Sequence, residues 1–223
     1  MILVVERVLS AQELTTVRAA LTAASFVDGR SSAGGPARDQ KHVLQLERSG
    51  DAQREVGELV ARALLRHATL QAATLPKSLR HPTINRYEPG MYYGPHLDAP
   101  IMRGSVTTRA DVSVTVFLSE PTEYAGGELV VAADRAPISI KAAAGDAVLY
   151  PSGSIHRVSQ IESGVRLVAV TWLQSMVRDA AQRKLLFELG ESIALLENEG
   201  ASPELLLRLR ASHNDLIRMW TDV

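Results

Sequence analysis

Between about residues 83 and 173, the chain consists of short runs in which apolar and polar residues alternate. In the run 112–118, one face would carry every second residue and the other face the rest: Val112, Val114, Val116 and Leu118 against Ser113, Thr115 and Phe117. Further runs rich in Val, Ile and Leu follow at intervals of about eight to twelve residues, separated by Gly, Pro or Asp. This spacing is typical of an all-β sandwich or barrel, such as a jelly roll.

Helical patterns precede this β-rich segment. Ser10 and Glu13 form a capping box that predicts a helix over about residues 11–24. An apolar stripe predicts a second helix over about residues 51–69. The expected architecture is therefore mainly β, with N-terminal helices packed on the β core.

The tail from residue 176 onwards predicts two more helices. Leucines recur at helical spacing as far as Gly200, and the apolar residues of this first helix are Leu185, Leu186, Leu189, Ile193 and Leu196. Ser202 caps a second helix, and Pro203 takes its first position. A helical hairpin has little core of its own, so we expect it to pack on the β core or on a second copy of the chain. The predicted division is into residues 1–175, with the β core at about 80–175, and the helical extension 176–223.

Composition excludes several classes of function. The chain has 223 residues, a formal net charge of -1 and no cysteine, so any metal must be held by His, Asp or Glu. The near-neutral charge predicts no nucleic-acid partner. No stretch approaches the roughly 18 apolar residues of a membrane span, and the first residues lack the basic leader of a signal peptide. We therefore expect a cytoplasmic protein with no membrane partner.

His96 and Asp98 are candidate metal ligands in the segment "RYEPGMYYGPHLDAP". If the segment is a strand, residues two apart point to the same side, so the imidazole and the carboxylate would face one point. His156 follows a predicted strand and a Pro/Ser/Gly turn late in the β-rich segment. Two histidines and one carboxylate suit iron(II) and leave coordination positions open, with zinc, manganese and nickel as alternatives.

Arg166 begins a predicted strand that ends at about Leu173. With a period of two it shares a face with apolar neighbours, namely Val168, Val170 and Trp172. If that face is buried, the guanidinium needs a carboxylate, and a bound dicarboxylate could supply one through a bidentate pair. Alternatively, Arg166 lies at the end of the strand and its head group reaches water.

In this order, the motif "HLD", the later histidine and the arginine ten residues after it resemble the iron(II)/2-oxoglutarate-dependent dioxygenases. The stretches "NRYEPGMYYGPHLD", "AGGEL" and "GDAVLYPSGSIHRV" are similar to the prolyl and lysyl hydroxylase branch of that family. The helical tail after "WLQS" resembles the bacterial PKHD-type hydroxylases, which are often associated with iron uptake. The resemblance covers most of the chain and implies a double-stranded β-helix, or jelly roll.

The resemblance implies specific roles for the candidate residues. His96, Asp98 and His156 would be the iron ligands, and Arg166 would bind the distal carboxylate of 2-oxoglutarate. Tyr87 matches a tyrosine that lines the cosubstrate pocket in relatives, and Asn85 is a weaker candidate on the same strand face. Phe117 departs from the pattern, because some relatives have a tyrosine there that contacts the cosubstrate.

The resemblance also implies a reaction. Fe(II), 2-oxoglutarate and O2 would be needed, with L-ascorbate as a further candidate cofactor. An organic substrate, either a small molecule or a peptide, would be hydroxylated while 2-oxoglutarate is decarboxylated to succinate. Asp98 argues against a halogenase, because in those relatives a small residue leaves room for chloride.

Two alternatives and two structural expectations remain open at this point. The chain could be a metal-binding or iron-sensing jelly roll without turnover, or a cupin-like isomerase that uses a divalent metal. The loops 29–41 and 99–110 are candidate lids over the metal, and their arginines hint at an acidic substrate. The C-terminal helices are a candidate surface for homo-oligomerisation.

Overall fold

The structure, a computed structural model, describes residues 1–32, 34, 38–104 and 107–223. Within these residues lie five α-helices: α1 (Ala11–Thr22), α2 (Asp51–Arg66), α3 (Ala68–Thr74), α4 (Ala180–Asn198) and α5 (Pro203–Trp220). The strands that precede residue 80 are β1 (Leu3–Val5), β2 (Phe26–Asp28), β3 (Lys41–His42), β4 (Leu44–Leu46) and β5 (Pro76–Leu79). The strands of the middle segment are β6 (Thr83–Tyr87), β7 (Tyr92–His96), β8 (Ile101–Met102), β9 (Thr108–Arg109), β10 (Val112–Phe117), β11 (Tyr124–Gly126), β12 (Leu129–Val131), β13 (Ile138–Ile140), β14 (Ala147–Pro151), β15 (His156–Val158), β16 (Ile161–Gly164) and β17 (Arg166–Ser175).

Two antiparallel sheets form the core of the protein. The larger sheet has eight strands in the order β1-β14-β10-β17-β6-β4-β2, with β5 paired to β17. The smaller sheet has five strands in the order β13-β12-β15-β7-β3. Apart from β12 and β13, the neighbours in these two sheets are not consecutive in sequence, as in a jelly roll. The predicted mainly-β architecture with flanking helices is confirmed.

The two faces of β10 explain how the larger sheet is covered. Val112, Val114 and Val116 belong to a buried cluster with residues of α1, α2 and α3, so the N-terminal helices pack on this face as predicted. Phe117 belongs to a second cluster, which contains residues of both sheets and lies between them. The alternation read from the sequence therefore separates the helix-covered face from the interior.

The C-terminal hairpin follows the capping signals in the sequence. The Ser202 hydroxyl accepts from the backbone N–H of Leu205, and Pro203 occupies the first turn of α5. Gly200 has φ +79, a left-handed conformation that favours glycine at the end of a helix. Helix α4 contacts both α5 and α3, so the hairpin packs on the N-terminal helices as well as on itself.

Three features differ from the sequence prediction. The helix expected over 51–69 is two helices, because His67 adopts an extended conformation (φ -77, ψ 118) that ends α2 and begins α3. Strands β1–β5, which lie before residue 80, extend both sheets. In the tail, Leu185 and Leu205 are 51% and 45% exposed, so the apolar stripes are only partly buried. Across the described residues, no helix combines the length and the apolarity that crossing a membrane requires.

Candidate metal and cosubstrate site

The pairing of β7 with β15 brings two histidines together. His96 is directly opposite His156 in this antiparallel pair, and their ring centroids are 4.2 Å apart. His96 Nδ1 lies 2.8 Å from the carbonyl oxygen of Gly94, and His156 Nδ1 lies 3.0 Å from that of Ser154. A neutral imidazole can donate its Nδ1–H to such a carbonyl, which leaves Nε2 as a free electron pair for a metal.

Asp98 completes the cluster from just beyond the strand. The sequence placed it in the same strand as His96, but β7 ends at His96, and Asp98 lies in the following loop. Its Oδ2 lies 3.8 Å from His156 Nε2 and accepts a hydrogen bond of 2.6 Å from Ser113 Oγ. Ser113 Oγ is in turn 2.8 Å from Ser152 Oγ. Two buried hydroxyls therefore hold the carboxylate in position.

The donor set fits a divalent metal. One ligand atom from each of His96, Asp98 and His156 lies within 4.8 Å of the others. Burial, with His156 as a second cause, lowers the pKa of His96 to about 4, so its imidazole is neutral at physiological pH and can coordinate. Two imidazoles and one carboxylate on one side of a metal leave positions for a cosubstrate, which is the arrangement of non-haem iron(II) oxygenases.

Arg166 lies between the sheets, and no carboxylate of the described residues pairs with it. It is 1% exposed, and across the described residues Nε and both Nη atoms are buried with no hydrogen-bond partner. Its guanidinium carbon lies 5.1 Å from the ring centroid of Tyr87 and 5.4 Å from that of Phe117. A buried guanidinium with no partner is costly, so this site fits an anionic ligand such as the distal carboxylate of 2-oxoglutarate.

Gly127, within the "AGGEL" segment, makes room for this arginine. Its φ is +69, and a Cβ at this position would lie 3.0 Å from Arg166 Cδ and 2.4 Å from Ile161 Cδ1. Any other residue would therefore push against the arginine stem. The same corner holds Tyr124, whose buried Oη also has no hydrogen-bond partner among the described residues.

Tyr87 and Asn85 both lie on β6, facing β17. Tyr87 is opposite Arg166 and Asn85 is opposite Val168 in the antiparallel register. Tyr87 is 2% exposed, and Asn85 Oδ1 accepts a hydrogen bond of 2.9 Å from Gln45 Nε2. The structure thus brings both candidates to the wall that carries Arg166, although the carbonyl oxygen of Asn85 already has a protein partner.

A cavity of about 1170 Å³ connects these groups. Its lining includes the three candidate metal ligands, Arg166, Tyr87 and Asn85, together with apolar side chains such as Leu129, Val158 and Val168. A cavity of this size is larger than 2-oxoglutarate needs and leaves space for an organic substrate.

Two tyrosines lie against the metal ligands. Tyr93 stacks on His96 with ring centroids 3.5 Å apart and an interplanar angle of 12°. Tyr150 meets His156 edge-on at 5.0 Å, and burial raises its pKa, so it stays protonated. Ser113 was missed as a functional residue, although its place on the polar face of β10 was a usable signal. Lys41, which is buried in the cavity wall, was missed as well and carries no local signal.

The two candidate lid loops reach the cavity with the residues that the structure describes. Ser32, Gly34 and Lys41 contribute from the loop 29–41, and Ala99, Pro100, Met102 and Arg103 contribute from the loop 99–110. Residues 33, 35–37, 105 and 106 of these loops lie outside the described part of the chain. Lid function therefore stays a prediction.

A jelly roll with this triad and a buried arginine defines the class of iron(II)- and 2-oxoglutarate-dependent oxygenases, and comparison with known proteins agrees. Residues 82–174 match the model of the 2OG-Fe(II) oxygenase superfamily, and residues 180–222 match that of the PKHD-type hydroxylase C-terminal domain. A PKHD-type hydroxylase from Hyphomonas neptunium is 42% identical over 225 residues, and one from Acaryochloris marina is 43% identical over 223; each alignment covers 100% of both chains. The chain therefore belongs to the family of PKHD-type hydroxylases.

Solved structures agree on the fold. A prolyl hydroxylase from Trichoplax adhaerens, solved in complex with a peptide fragment of a hypoxia-inducible factor, superposes with a TM-score of 0.57 at 15% identity. The match covers 78% of this chain and 83% of that one. The protein is thus an oxygenase by family, and that family requires Fe(II), 2-oxoglutarate and O2.

Proposed function

We propose that the protein hydroxylates an organic substrate at a site in which His96, Asp98 and His156 hold iron(II). Arg166 binds the distal carboxylate of 2-oxoglutarate, and Tyr87 flanks the same pocket. The observation that carries the proposal is the buried guanidinium of Arg166, which has no carboxylate partner among the described residues and lies in the wall of the cavity that also contains the metal ligands. A protein that only bound or sensed a metal would have no use for it.

Iron(II) bound with 2-oxoglutarate and O2 supplies an oxidant for a substrate C–H bond, while 2-oxoglutarate is decarboxylated to succinate. The protein's own residues do the rest. The backbone carbonyls of Gly94 and Ser154 fix the imidazole tautomers, and Ser113 orients Asp98. Tyr93 and Tyr150 pack against the two imidazoles.

The test of this function is 2-oxoglutarate binding followed by turnover. The anaerobic iron(II) protein should develop a metal-to-ligand absorption band when 2-oxoglutarate is added, and O2 should then release succinate. The matched control is 2-oxopentanoate, which keeps the chelating end but lacks the distal carboxylate and should bind much more weakly. If no band and no succinate form, the oxygenase proposal fails, and the alternative of a metal-binding jelly roll without turnover is favoured.

Several finer predictions accompany this proposal. The substrate is a small molecule or a peptide, and the hydroxylation serves iron uptake or homeostasis. L-ascorbate supports the reaction, and the protein acts in the cytoplasm. The division into residues 1–175 and 176–223 and self-association through the C-terminal helices also stay predictions. The full-length similarity to PKHD-type hydroxylases supports the reaction class and not these finer points.

A further inference from the structure

Lys41 is a buried cation in the wall of the cavity that the proposed chemistry does not use. It lies in β3 directly opposite Tyr93 of β7, and only 6% of its surface is exposed. Its Nζ is 5.3 Å from the Tyr93 ring centroid, and that ring stacks on His96. One aromatic ring therefore separates the ammonium group from a candidate metal ligand.

The hydrogen-bonding capacity of this ammonium is mostly unused. An ammonium group has three N–H donors, and across the described residues Lys41 Nζ makes a single hydrogen bond, of 2.7 Å, to Ser32 Oγ. No carboxylate of the described chain forms an ion pair with it. Burial, and next the charge of Arg48, lower the pKa of Lys41 to about 8, although the charges of Asp98 and Asp28 act to raise it. A buried ammonium with so few hydrogen bonds is stabilised by an anion that binds beside it.

The cavity around Lys41 is strongly cationic. Among the described residues, its lining has a single carboxylate, Asp98, against six basic side chains: Lys41, Arg48, Arg54, Arg80, Arg103 and Arg166. Two of these already have partners near the entrance, since Arg54 pairs with Asp51 and Arg80 donates to the carbonyl oxygens of Met102 and Arg103. The formal net charge of the whole chain is only -1, so the cationic character belongs to the cavity.

We propose that Lys41 and Arg48 form an anion subsite for the substrate that is hydroxylated, and that this substrate carries a carboxylate. The inference rests on the proposed function, in which Arg166 is already taken by 2-oxoglutarate. Arg48 is exposed, so Lys41 is the one buried cation of the proposed pair, and a single buried ammonium with a serine hydroxyl beside it matches the charge of a carboxylate better than that of a dianion. Because the Tyr93 ring contacts both Lys41 and His96, the carboxylate of the substrate would bind next to the metal site.

The subsite can be tested by NMR because the chain has four lysines: Lys41, Lys77, Lys141 and Lys184. In protein labelled with ¹³C-lysine and loaded with Zn(II) and 2-oxoglutarate, Lys41→Arg identifies the Lys41 resonance by its loss. Titration with acetate across the millimolar range should shift that resonance to saturation. Acetamide, which has the same shape and no charge, should not shift it, and the exposed Lys77 should respond to neither probe.

Matched variants separate this subsite from general ionic effects. Arg48→Gln should weaken acetate binding several-fold, whereas Lys77→Met should leave it unchanged. If Lys41 shows no saturable response to acetate, or responds equally to acetamide, the proposal is overturned. If inorganic phosphate saturates the site and acetate does not, the carboxylate assignment is overturned in favour of a phosphate-bearing substrate.

The two proposals fail separately in the parent protein. If the absorption band of iron(II) with 2-oxoglutarate forms but acetate does not shift the Lys41 resonance, the oxygenase proposal stands and the anion subsite is wrong. For the converse case the titration is repeated on Zn(II) protein without 2-oxoglutarate. If Lys41 responds saturably to acetate in the Zn(II) protein, while the iron(II) protein shows no absorption band with 2-oxoglutarate, the anion subsite stands and the oxygenase assignment is overturned.

Discussion

Arg166 and Tyr87 face each other across β17 and β6, with the guanidinium carbon 5.1 Å from the centroid of the tyrosine ring. Both side chains are almost fully buried, and the guanidinium has no hydrogen-bond partner among the described residues. Both residues line the cavity, so the pair forms one part of its wall beside which an anion can bind. This relationship makes the cosubstrate pocket testable by single substitutions.

Arg166→Leu should abolish tight 2-oxoglutarate binding and leave metal binding intact, because no ligand atom is removed. Loss of one partner of a buried charged pair costs roughly 3–5 kcal/mol, or on the order of a hundredfold or more in affinity. Arg166→Lys should reduce 2-oxoglutarate affinity less, because lysine keeps the positive charge but lacks the planar guanidinium that binds a carboxylate through two hydrogen bonds. Titration of 2-oxoglutarate into the anaerobic iron(II) protein measures both. Unchanged affinity in Arg166→Leu would show that the arginine is structural.

Tyr87→Phe should weaken 2-oxoglutarate binding moderately, by about 0.5–1.5 kcal/mol, because it removes one hydroxyl and keeps the buried ring. The same titration measures the loss. Tyr92→Phe is the control: Tyr92 lies on β7 against His42, where its ring centroid is 4.6 Å from the imidazole. If both variants bind 2-oxoglutarate like the parent, Tyr87 is only a packing residue.

Ser113→Ala should lower metal affinity without removing a ligand, because Asp98 loses the hydroxyl that fixes its carboxylate. Residues that support metal ligands in this way typically contribute about 10–100-fold in affinity, whereas His96→Ala or Asp98→Ala should abolish iron retention. Competition with a fluorescent chelator gives the affinities. Ser139→Ala, on the exposed part of β13, is the control. Equal metal affinities for Ser113→Ala and Ser139→Ala would show that Ser113 does not support metal binding.

In the metal-free protein, the free energy of unfolding at acidic pH should depend on the protonation of His96. Its pKa is about 4 in the folded chain, below the usual 6.5 of a histidine, so the unfolded chain binds more protons between these values. Folding stability should therefore fall as the pH drops from about 6.5 towards 4. Urea denaturation of the metal-free protein at several pH values measures this. In His96→Gln the slope should be smaller, and an identical slope would contradict the assignment.

Local patterns predicted the parts of the fold that local physics determines. The alternation in β10 separated Val114, which faces the helices, from Ser113, which faces the site, and the capping box at Ser10 is formed as expected. The break at His67 was missed because an apolar periodicity continues through a single extended residue. Asp98 was placed in a strand because the spacing of two residues does not show where strand pairing stops.

The site itself depends on long-range pairing that no local pattern contains. His96 and His156 meet because β7 and β15 are neighbours in the smaller sheet. The sequence offered both as candidate metal ligands, but no local pattern predicted that these two strands pair. Lys41 could not have been found, because β3 has only two residues and a lysine in a short polar segment is ordinarily exposed. Its burial follows from the position of β3 beside β7.

The last prediction is self-association through the C-terminal helices. Exposed apolar side chains on α5 suggest which face of the helix would be involved. Leu205 and Met219 on α5 are 45% and 73% exposed. They are fourteen residues apart, close to four helical turns, so both lie on one side of the helix. If a second copy covers this side, light scattering at several concentrations should give the mass of a dimer, and Leu205→Glu should give the mass of a monomer.

Leu207 provides the matched control for this face. It is more exposed than Leu205, at 68%, but lies two residues further along α5 and points to nearly the opposite side of the helix. Leu207→Glu should therefore keep the dimer, because the change in charge and hydropathy is the same and only the face differs. A monomeric parent at every concentration would contradict the prediction, and dissociation by both variants would show that the interface is not confined to the Leu205 face.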